Sequence, residues 1–258
     1  MKSICIGILV ILGFFAVARN WQVLAAAAGG VVGYRDSLVS GQGSPNVRNW
    51  RARTGPPSWF SPTNKYDYNY WITTLGPKVS GGNTLGNGTS INATRTLNGM
   101  NSANAVNYYR VNGSLNIDTD QTLVAGSTND LIILVDGDLD INAKITRLNK
   151  GSFLGFFVGG DINVSPSIGG NDPVIDGFFL SNGIFHVNKV GTGDDIRFLA
   201  NGIFIAFAGF EFTRNLGNDL TNGNPAVPAE KFIFDPSLVV NAPADLGKSS
   251  YTWKEIAP

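Results

Sequence analysis

Carboxylates at alternating positions are the first feature of this sequence that could do chemistry. Asp136, Asp138 and Asp140 alternate along one extended segment, and alternation along a strand puts every second side chain on the same face. Asp161 lies in a similar segment further along the chain and is expected to stack beside Asp138. Because Ca²⁺ takes carboxylate oxygens as ligands, these four residues could bind Ca²⁺. The alternative is a solvated polar face that binds no metal; no other cofactor is indicated.

Two adjacent carboxylates raise the question of catalysis. Asp194 and Asp195 could act as acid and base at a glycosidic bond, but they lie in a turn-like context after Gly193. The single histidine, His186, alternates with apolar neighbours and is expected to point to solvent. No nucleophile motif accompanies it. We therefore expect that the chain is not an enzyme.

The acidic residues belong to a repeated segment of the form apolar–x–Gly–x–apolar–x–apolar. Its glycines are Gly113, Gly137, Gly160, Gly183 and Gly202. A period in the low twenties is typical of one coil of a parallel β-helix. Within each unit, alternation predicts inward side chains that stack from coil to coil. The first inward position is predicted to hold Leu115, Leu139, Ile162, Phe185 and Phe204.

A second strand precedes each glycine from the second unit onward. These strands are nearly continuous apolar runs, such as Leu131–Leu134 and Phe153–Phe157. Runs of this kind are typical of strands with little solvent on either face, or of a solenoid side that another element covers. We predict an all-β fold, a right-handed parallel β-helix with N- and C-terminal caps. The alternative is a β-sandwich, whose strands also recur between regularly spaced turns.

The N-terminus has the pattern of a signal peptide. Lys2 precedes an apolar run from Ile4 to Val17, and the small residues of Val23–Ala28 offer a cleavage site. Residues 1–27 are therefore predicted to be removed on export to the cell surface or the extracellular space. The alternative is an uncleaved anchor, through which alone the chain would contact a membrane. Arg19 would then lie at mid-membrane depth, which is unfavourable.

The rest of the chain divides into three predicted parts. Residues 28–104 form a lead-in or N-terminal cap, with room for a short helix at 65–75. Residues 105–206 form the β-solenoid coils. Residues 207–258 form a C-terminal cap that contains a short strand at Leu238–Val240.

Composition narrows the classes of partner. Nineteen basic residues balance nineteen acidic ones, and no basic stripe of the kind that binds nucleic acid is visible. Cys5, inside the targeting segment, is the only cysteine. The chain therefore has no internal disulfide and no thiol nucleophile after that segment.

Several segments in the second half of the chain, taken together, are similar to those of a known group of proteins. They are Val135–Ile141, Gly159–Val164, Ile175–Phe179, Thr213–Leu216, Pro228–Glu230, Phe232–Pro236 and Trp253–Pro258. With these segments, residues 105–258 resemble a group of uncharacterised exported glycine-marked repeat proteins from uncultivated small-genome bacteria. The resemblance implies a surface location and a solenoid, and it supplies no catalytic residues.

Two functions remain open from the sequence. The first is a non-enzymatic structural or adhesive protein of the cell envelope, whose partners are further copies of itself or other envelope components. Such a chain could assemble into a filament or a surface layer, since the end coils of a solenoid expose unpaired strand edges. The alternative is a carbohydrate-active β-helix enzyme or a carbohydrate-binding module, with a polysaccharide as partner.

Overall fold

The computed structural model describes most of the chain after residue 65. The described residues are 66–101, 104–124, 129–191, 193–217, 223 and 227–247, together with the backbone of three short strands at 32–34, 38–40 and 52–53. The predicted signal segment 1–27 and the terminal motif at 253–258 lie outside the described residues.

The described elements are mainly short strands. They are β1 (Val32–Tyr34), β2 (Leu38–Ser40), β3 (Ala52–Arg53), β4 (Thr84–Leu85), β5 (Thr89–Ile91), β6 (Val106–Val111), β7 (Leu115–Ile117), β8 (Gln121–Leu123), β9 (Asp130–Val135), β10 (Leu139–Ile141), β11 (Ile145–Arg147), β12 (Leu154–Val158), β13 (Ile162–Val164), β14 (Ile175–Ser181), β15 (Ile184–Val187), β16 (Phe198–Ala206), β17 (Gly209–Phe212) and β18 (Glu230–Phe234). The α-helices are α1 (Tyr68–Leu75), α2 (Leu97–Met100) and α3 (Ser237–Val240).

The strands form a parallel β-solenoid of about 5 turns. The first sheet has the order β3-β1-β16-β14-β12-β9-β6-β4, with β18 beside β16 and the pair β8–β11 attached through β14. The second sheet has the order β2-β17-β15-β13-β10-β7-β5. Every described pairing is parallel. Since sandwich sheets are antiparallel, the β-sandwich alternative is wrong and the predicted parallel β-helix is confirmed.

The predicted inward stack is confirmed over four coils and shifts at the fifth. Leu139 lies in register with Leu115 and Ile162, and Ile162 with Phe185. The residue stacked on Phe185 is Phe210 in β17, where the repeat had indicated Phe204. The coils therefore continue beyond the predicted limit at residue 206. They also begin earlier than predicted, with β4 and β5.

The glycines mark a tight corner between the two sheets. The backbone N–H of Gly160 donates to the oxygen of Gly137 at 2.9 Å, and that of Gly183 to Gly160 at 3.0 Å. A Cβ on Gly160 would lie 2.0 Å from the Asp138 Oδ1 atom and 3.0 Å from the Gly137 oxygen. At Gly160, close stacking of corner on corner and the Asp138 carboxylate thus leave no room for a side chain without movement of these neighbours. The equivalent position in the last coil is Ala208, whose N–H donates to the Gly183 oxygen at 3.2 Å.

The interior is filled by stacked apolar side chains. Aliphatic residues dominate the early coils, and phenylalanines fill the later ones. Phe179 stacks on Phe156 with ring centroids 5.1 Å apart and on Phe204 at 5.3 Å, with nearly parallel planes. This column runs along the solenoid axis, so each coil packs these rings against those of the coils before and after it.

A second apolar core covers the outer face of the first sheet. Helix α1 places Trp71 against Phe157, with ring centroids 5.2 Å apart, and Ile132 and Leu134 are buried beneath the same cover. This confirms that the continuous apolar runs belong to a covered side of the solenoid. The helix begins at Asp67, which accepts a hydrogen bond from the N–H of Tyr70. It lies on the side of the coils and not across an end.

The C-terminal segment after β18 crosses the covered face of the first sheet, from the later coils towards the earlier ones. The predicted strand at Leu238–Val240 is wrong, because this segment is the one-turn helix α3. Its Leu238 is buried in the second core, while its valines face outward. Further on, Asp245 accepts a hydrogen bond from the Tyr108 hydroxyl in β6 and lies 2.8 Å from the Lys78 Nζ atom. The segment thus runs from the last coil back to the first strands.

The N-terminal strands extend the far end of the solenoid. Gly33 in β1 lies in register with Ile205 in β16, and Val39 in β2 with Glu211 in β17. Strand β3 pairs with the outer edge of β1. The strands β1 and β2 therefore extend the first and second sheets beyond the last coil of the repeat region.

Candidate functional site

The outer face of the second sheet is the part of the solenoid where polar side chains reach solvent in a regular array. In β7, β10 and β13 the middle residue points outward and is partly exposed, while its two neighbours are buried. Register aligns these outward residues into one row, which we call the polar row. It consists of Ser90, Asn116, Asp140, Asn163, His186 and Glu211.

Hydrogen bonds between coils hold parts of this surface in place. The Asn163 amide donates to the Asp140 Oδ1 atom at 2.9 Å. Beside the polar row, the Asn142 amide donates to Asp118 Oδ1 at 3.1 Å, and the Ser90 hydroxyl donates to the same carboxylate. Neighbouring parallel strands are about 4.8 Å apart. The surface therefore carries hydroxyl, amide and carboxylate groups at regular intervals set by the spacing of the strands.

His186 lies in this row between two carboxylates, on the outward face that the sequence indicates. Its Nδ1 atom is 2.6 Å from the Glu211 Oε2 atom, and its Nε2 atom is 3.7 Å from the Asp161 Oδ2 atom. The two ring nitrogens thus face acceptors on opposite sides. The side chain therefore lies between a carboxylate of the coil before it and a carboxylate of the coil after it.

The four predicted calcium ligands are not brought together. Strand β9 ends at Val135 and β10 begins at Leu139, so residues 136–138 form a corner and the expectation of one shared face is wrong. Asp136 turns to the first sheet, where it binds the Arg110 guanidinium and the Tyr68 hydroxyl. Among the described residues, no group of three or more His, Cys, Asp or Glu side chains is placed to hold a metal ion.

The other three carboxylates accept hydrogen bonds from the next coil. Asp138 Oδ1 accepts from the Asp161 N–H at 2.8 Å, and Asp161 Oδ1 accepts from the Ile184 N–H at 2.7 Å. Asp140 accepts from Asn163, as described above. These carboxylates therefore join successive coils at the corner and on the polar row.

Asp194 and Asp195 have different environments. Asp195 is buried, and its two oxygens accept hydrogen bonds from the backbone N–H groups of Val190 and Asn215. Asp194 is exposed. Since the oxygens of Asp195 are used to fix two loops, the two residues do not form the pair of free carboxylates that glycoside hydrolysis needs.

A buried ionic cluster formed by residues of β11 and β14 and the segment after β18 has no simple signal in the sequence. The Arg147 side chain is fully buried, and its Nη2 atom lies 2.6 Å from Asp235 and 3.3 Å from Asp176. Lys150, half exposed, binds the same two carboxylates. Burial alone would raise the pKa of Asp235. Hydrogen bonds from Ser237 and the two cations outweigh that effect and hold this pKa below its ordinary value.

A second buried cluster lies around Arg214, between the end of β17 and the start of β18. The Arg214 guanidinium donates to the backbone oxygens of Asn188, Ile196 and Ser165, and its backbone N–H donates to Glu230 at 2.8 Å. Burial lowers the pKa of Arg214 to about 10. Burial also raises the pKa of Glu230 to about 7, in spite of the hydrogen bond and the charge of Arg214. The pair joins three coils to the start of β18.

The fold and these sites together define a parallel β-solenoid whose first sheet is covered and whose second sheet carries the polar row. No protein-family model, curated protein or solved structure matches the chain. Among the described residues, no helix has the length and apolar character needed to cross a membrane.

Proposed function

We propose that the chain is a non-enzymatic structural or adhesive protein of the cell envelope, exported to the cell surface or beyond, and that it assembles end to end into a filament or surface layer. The observation that carries the proposal is the pairing at the end of the solenoid. The last coil accepts two further strands, β1 and β2, in parallel register with β16 and β17. A coil edge that accepts strands in this way is suited to association with further copies.

The environments of the titratable side chains support a structural role. Asp136, Asp138, Asp161 and Asp195 each accept hydrogen bonds that join one coil, corner or loop to the next. Each of these contacts gives the carboxylate a structural role between neighbouring parts of the solenoid. The chemistry of the described surface thus serves to hold neighbouring coils together.

The test is the assembled state of the full chain, expressed with its N-terminal segment so that the host can process it. We expect elongated particles or fibres in negative-stain micrographs, and a mass above that of the monomer in light scattering at physiological salt. Val39→Pro, which removes a backbone donor from β2, is expected to shorten the particles. His186→Ala, on the side of the solenoid, is expected to leave their length unchanged. A chain that stays monomeric under these conditions contradicts the proposal.

A second candidate is a carbohydrate-binding module, which the polar row favours. Its hydroxyl, amide and carboxylate groups are spaced by the strand repeat, and an extended glycan could hydrogen-bond to several coils at once. Binding of neutral polysaccharides that weakens at least tenfold in the double variant Asn116→Ala/Asn163→Ala would support this function. Hydrolysis by the wild type that is lost in Glu211→Gln would support the enzymatic form of the same candidate.

A further inference from the structure

Asparagine followed by glycine recurs at the corners and turns of this chain. Such pairs occur at 87–88, 98–99, 112–113, 182–183, 201–202 and 222–223. The first five lie within the described residues, and the sixth lies partly outside them. In such a pair the backbone nitrogen of the glycine can attack the side-chain amide of the asparagine, because glycine has no Cβ to hinder close approach. The reaction needs an amide that is free to turn and a glycine N–H that other parts of the fold do not hold.

Four of the five described asparagines have their side-chain amides held by a hydrogen bond to another residue. These bonds join Asn87 to Ser114, Asn98 to Val124, Asn182 to Tyr68 and Asn201 to Asp235. Asn112 is the exception. It is exposed, and within the described part of the chain its amide has no hydrogen-bond partner. This side chain is therefore free to turn towards the backbone that follows it.

The glycine N–H groups divide in the same way. Gly88 and Gly183 donate to Ser114 and Gly160 on neighbouring coils, Gly99 donates to the Thr96 hydroxyl that caps α2, and Gly202 lies inside β16 between β14 and β18. Gly113 instead donates at 3.0 Å to the oxygen of Val111, only two residues earlier. A bond of this kind closes a γ-turn, and it ties Gly113 to no other coil. In the pair Asn112-Gly113 both reacting groups are thus available.

We propose that Asn112 is a site of spontaneous modification, at which the chain converts this amide to a carboxyl group. The Gly113 nitrogen forms a bond to the side-chain carbonyl carbon and loses its proton, and the amide nitrogen leaves as ammonia. Water is the only other reactant, and it opens the resulting five-membered imide. Addition of water at one carbonyl gives aspartate. Addition at the other gives isoaspartate, in which the main chain continues through the side-chain carbon.

The neighbours of Asn112 give this modification a structural effect. Asp136 stacks on Asn112, because the Asp136 N–H donates to the Val111 oxygen at 3.0 Å. Residues stacked in this way are about 5 Å apart, so the new carboxylate would compete with Asp136 for the Arg110 guanidinium. Like charges on adjacent strands are also destabilising. Since Asp136 accepts the hydroxyl of Tyr68 in helix α1, the modification should loosen this helix from the first sheet.

Peptide mass spectrometry of the purified full chain tests the site. During storage at mildly alkaline pH, we expect the peptide that contains Asn112 to acquire a carboxyl group about tenfold faster than those with Asn182 or Asn201, whose hydrogen bonds must break first. In urea, where those bonds are lost, the three rates should converge. Asn112→Gln keeps an amide but lengthens the side chain, and should stop the reaction.

Two results of this experiment would overturn the proposal. The first is an Asn112 that keeps its amide in the folded chain while the same peptide reacts in urea. The second is an equal rate at all three asparagines in the folded chain, which would mean that the contacts do not select the site.

A variant that carries the aspartate form from the start tests the structural effect separately. We expect Asn112→Asp to make helix α1 more accessible to protease than it is in the wild type. The matched control Asn116→Asp adds the same charge to the polar row on the second sheet, and should leave cleavage at α1 unchanged. Equal cleavage in the two variants would reject the coupling between this corner and α1.

Discussion

At the scale of single residues, the ionisation of Glu230 couples folding to pH. Burial raises the pKa of Glu230 from 4.5 to about 7, so the folded chain binds this proton more tightly than the unfolded chain does. Its contribution to stability is therefore complete below about pH 4.5 and is lost as the pH rises through about 7. Each unit of raised pKa corresponds to about 1.4 kcal/mol.

We expect Glu230→Gln to remove this dependence, since the amide oxygen can still accept the hydrogen bond from the Arg214 N–H. The free energy of unfolding of the variant should exceed that of the wild type by up to about 3 kcal/mol above pH 7 and converge with it near pH 4. Urea unfolding between those pH values measures the difference. The control Asp194→Asn changes an exposed carboxylate. A pH slope that is equal in wild type and Glu230→Gln would contradict the assignment.

The buried cluster around Arg147 predicts that Arg147→Met lowers the free energy of unfolding much more than Lys150→Met does. Arg147→Met leaves the carboxylates of Asp176 and Asp235 buried with Lys150 as their remaining cationic partner, and should lower the free energy of unfolding by about 3–5 kcal/mol. Lys150→Met removes a half-exposed cation from the same carboxylates and should cost less than about 1 kcal/mol. Thermal unfolding compares the two variants. Equal losses would mean that the cluster is not the source of the stability.

The contacts of Asp136, Asp138 and Asp161 predict that the melting temperature does not depend on calcium. Asp136, Asp138 and Asp161 accept hydrogen bonds or ion pairs from this protein, so a calcium ion would have to displace those contacts. The melting temperature should be the same in excess Ca²⁺ and in EDTA, to within about 1 °C. A rise of several degrees with Ca²⁺ that disappears in Asp138→Asn would restore the predicted metal site.

At the scale of elements, helix α1 is expected to stabilise the first sheet through one aromatic contact. Trp71 is buried against Phe157, and replacing a buried Trp by Ala costs about 3 kcal/mol or more. Trp71→Ala should therefore lower the unfolding midpoint and expose α1 to protease. Thr73→Ala, on the exposed side of the same helix, is the control and should change neither. Equal protease sensitivity of the two variants would show that the helix is held by other contacts.

The glycine repeat predicted the coils because the tightly packed corner between the two sheets favours glycine in successive coils. Stacked corners exclude a side chain at Gly137, Gly160 and Gly183, so glycine recurs with the period of the coil. The prediction failed at the fifth unit, where an Asn-Gly-Ile-Phe segment repeats. Gly202 in that segment lies inside β16 and stacks on Gly177. The equivalent corner of the last coil carries Ala208 instead of glycine, so the glycine of the fifth unit did not mark that corner.

The polar row could be predicted in part, and the buried clusters could not. Alternation correctly placed His186 outward, since the phase of a strand decides which face a residue takes. By contrast, Arg147 and Asp235 are 88 residues apart, and their contact depends on how the C-terminal segment crosses the sheet. The second sheet accepts Val39 beside Glu211 for a similar reason: the two ends of the chain meet only once the coils have formed.

At the scale of the whole molecule, the charge distribution predicts that salt affects assembly. The basic segment 29–65 and the acidic remainder of the chain attract one another over roughly a Debye length. Raising the salt from about 0.05 M to about 0.5 M should shorten the assemblies, and this can be measured by sedimentation. The double variant Arg51→Gln/Arg53→Gln removes two of the basic residues. The length of its assemblies should depend less on salt than that of the wild type. Assemblies that lengthen with salt would indicate that apolar contacts dominate.

The covered sheet also has a mechanical consequence. Hydrogen bonds between parallel strands run along the axis of the solenoid, so a pull on its two ends loads every coil junction in series. On the first sheet the C-terminal segment acts as a strap, because it binds Arg147 through Asp235 and reaches Tyr108 through Asp245. The second sheet carries no such strap among the described residues. Under tension the strands of the second sheet should therefore separate before those of the first sheet. The molecule should then bend towards the first sheet, which the C-terminal segment holds together.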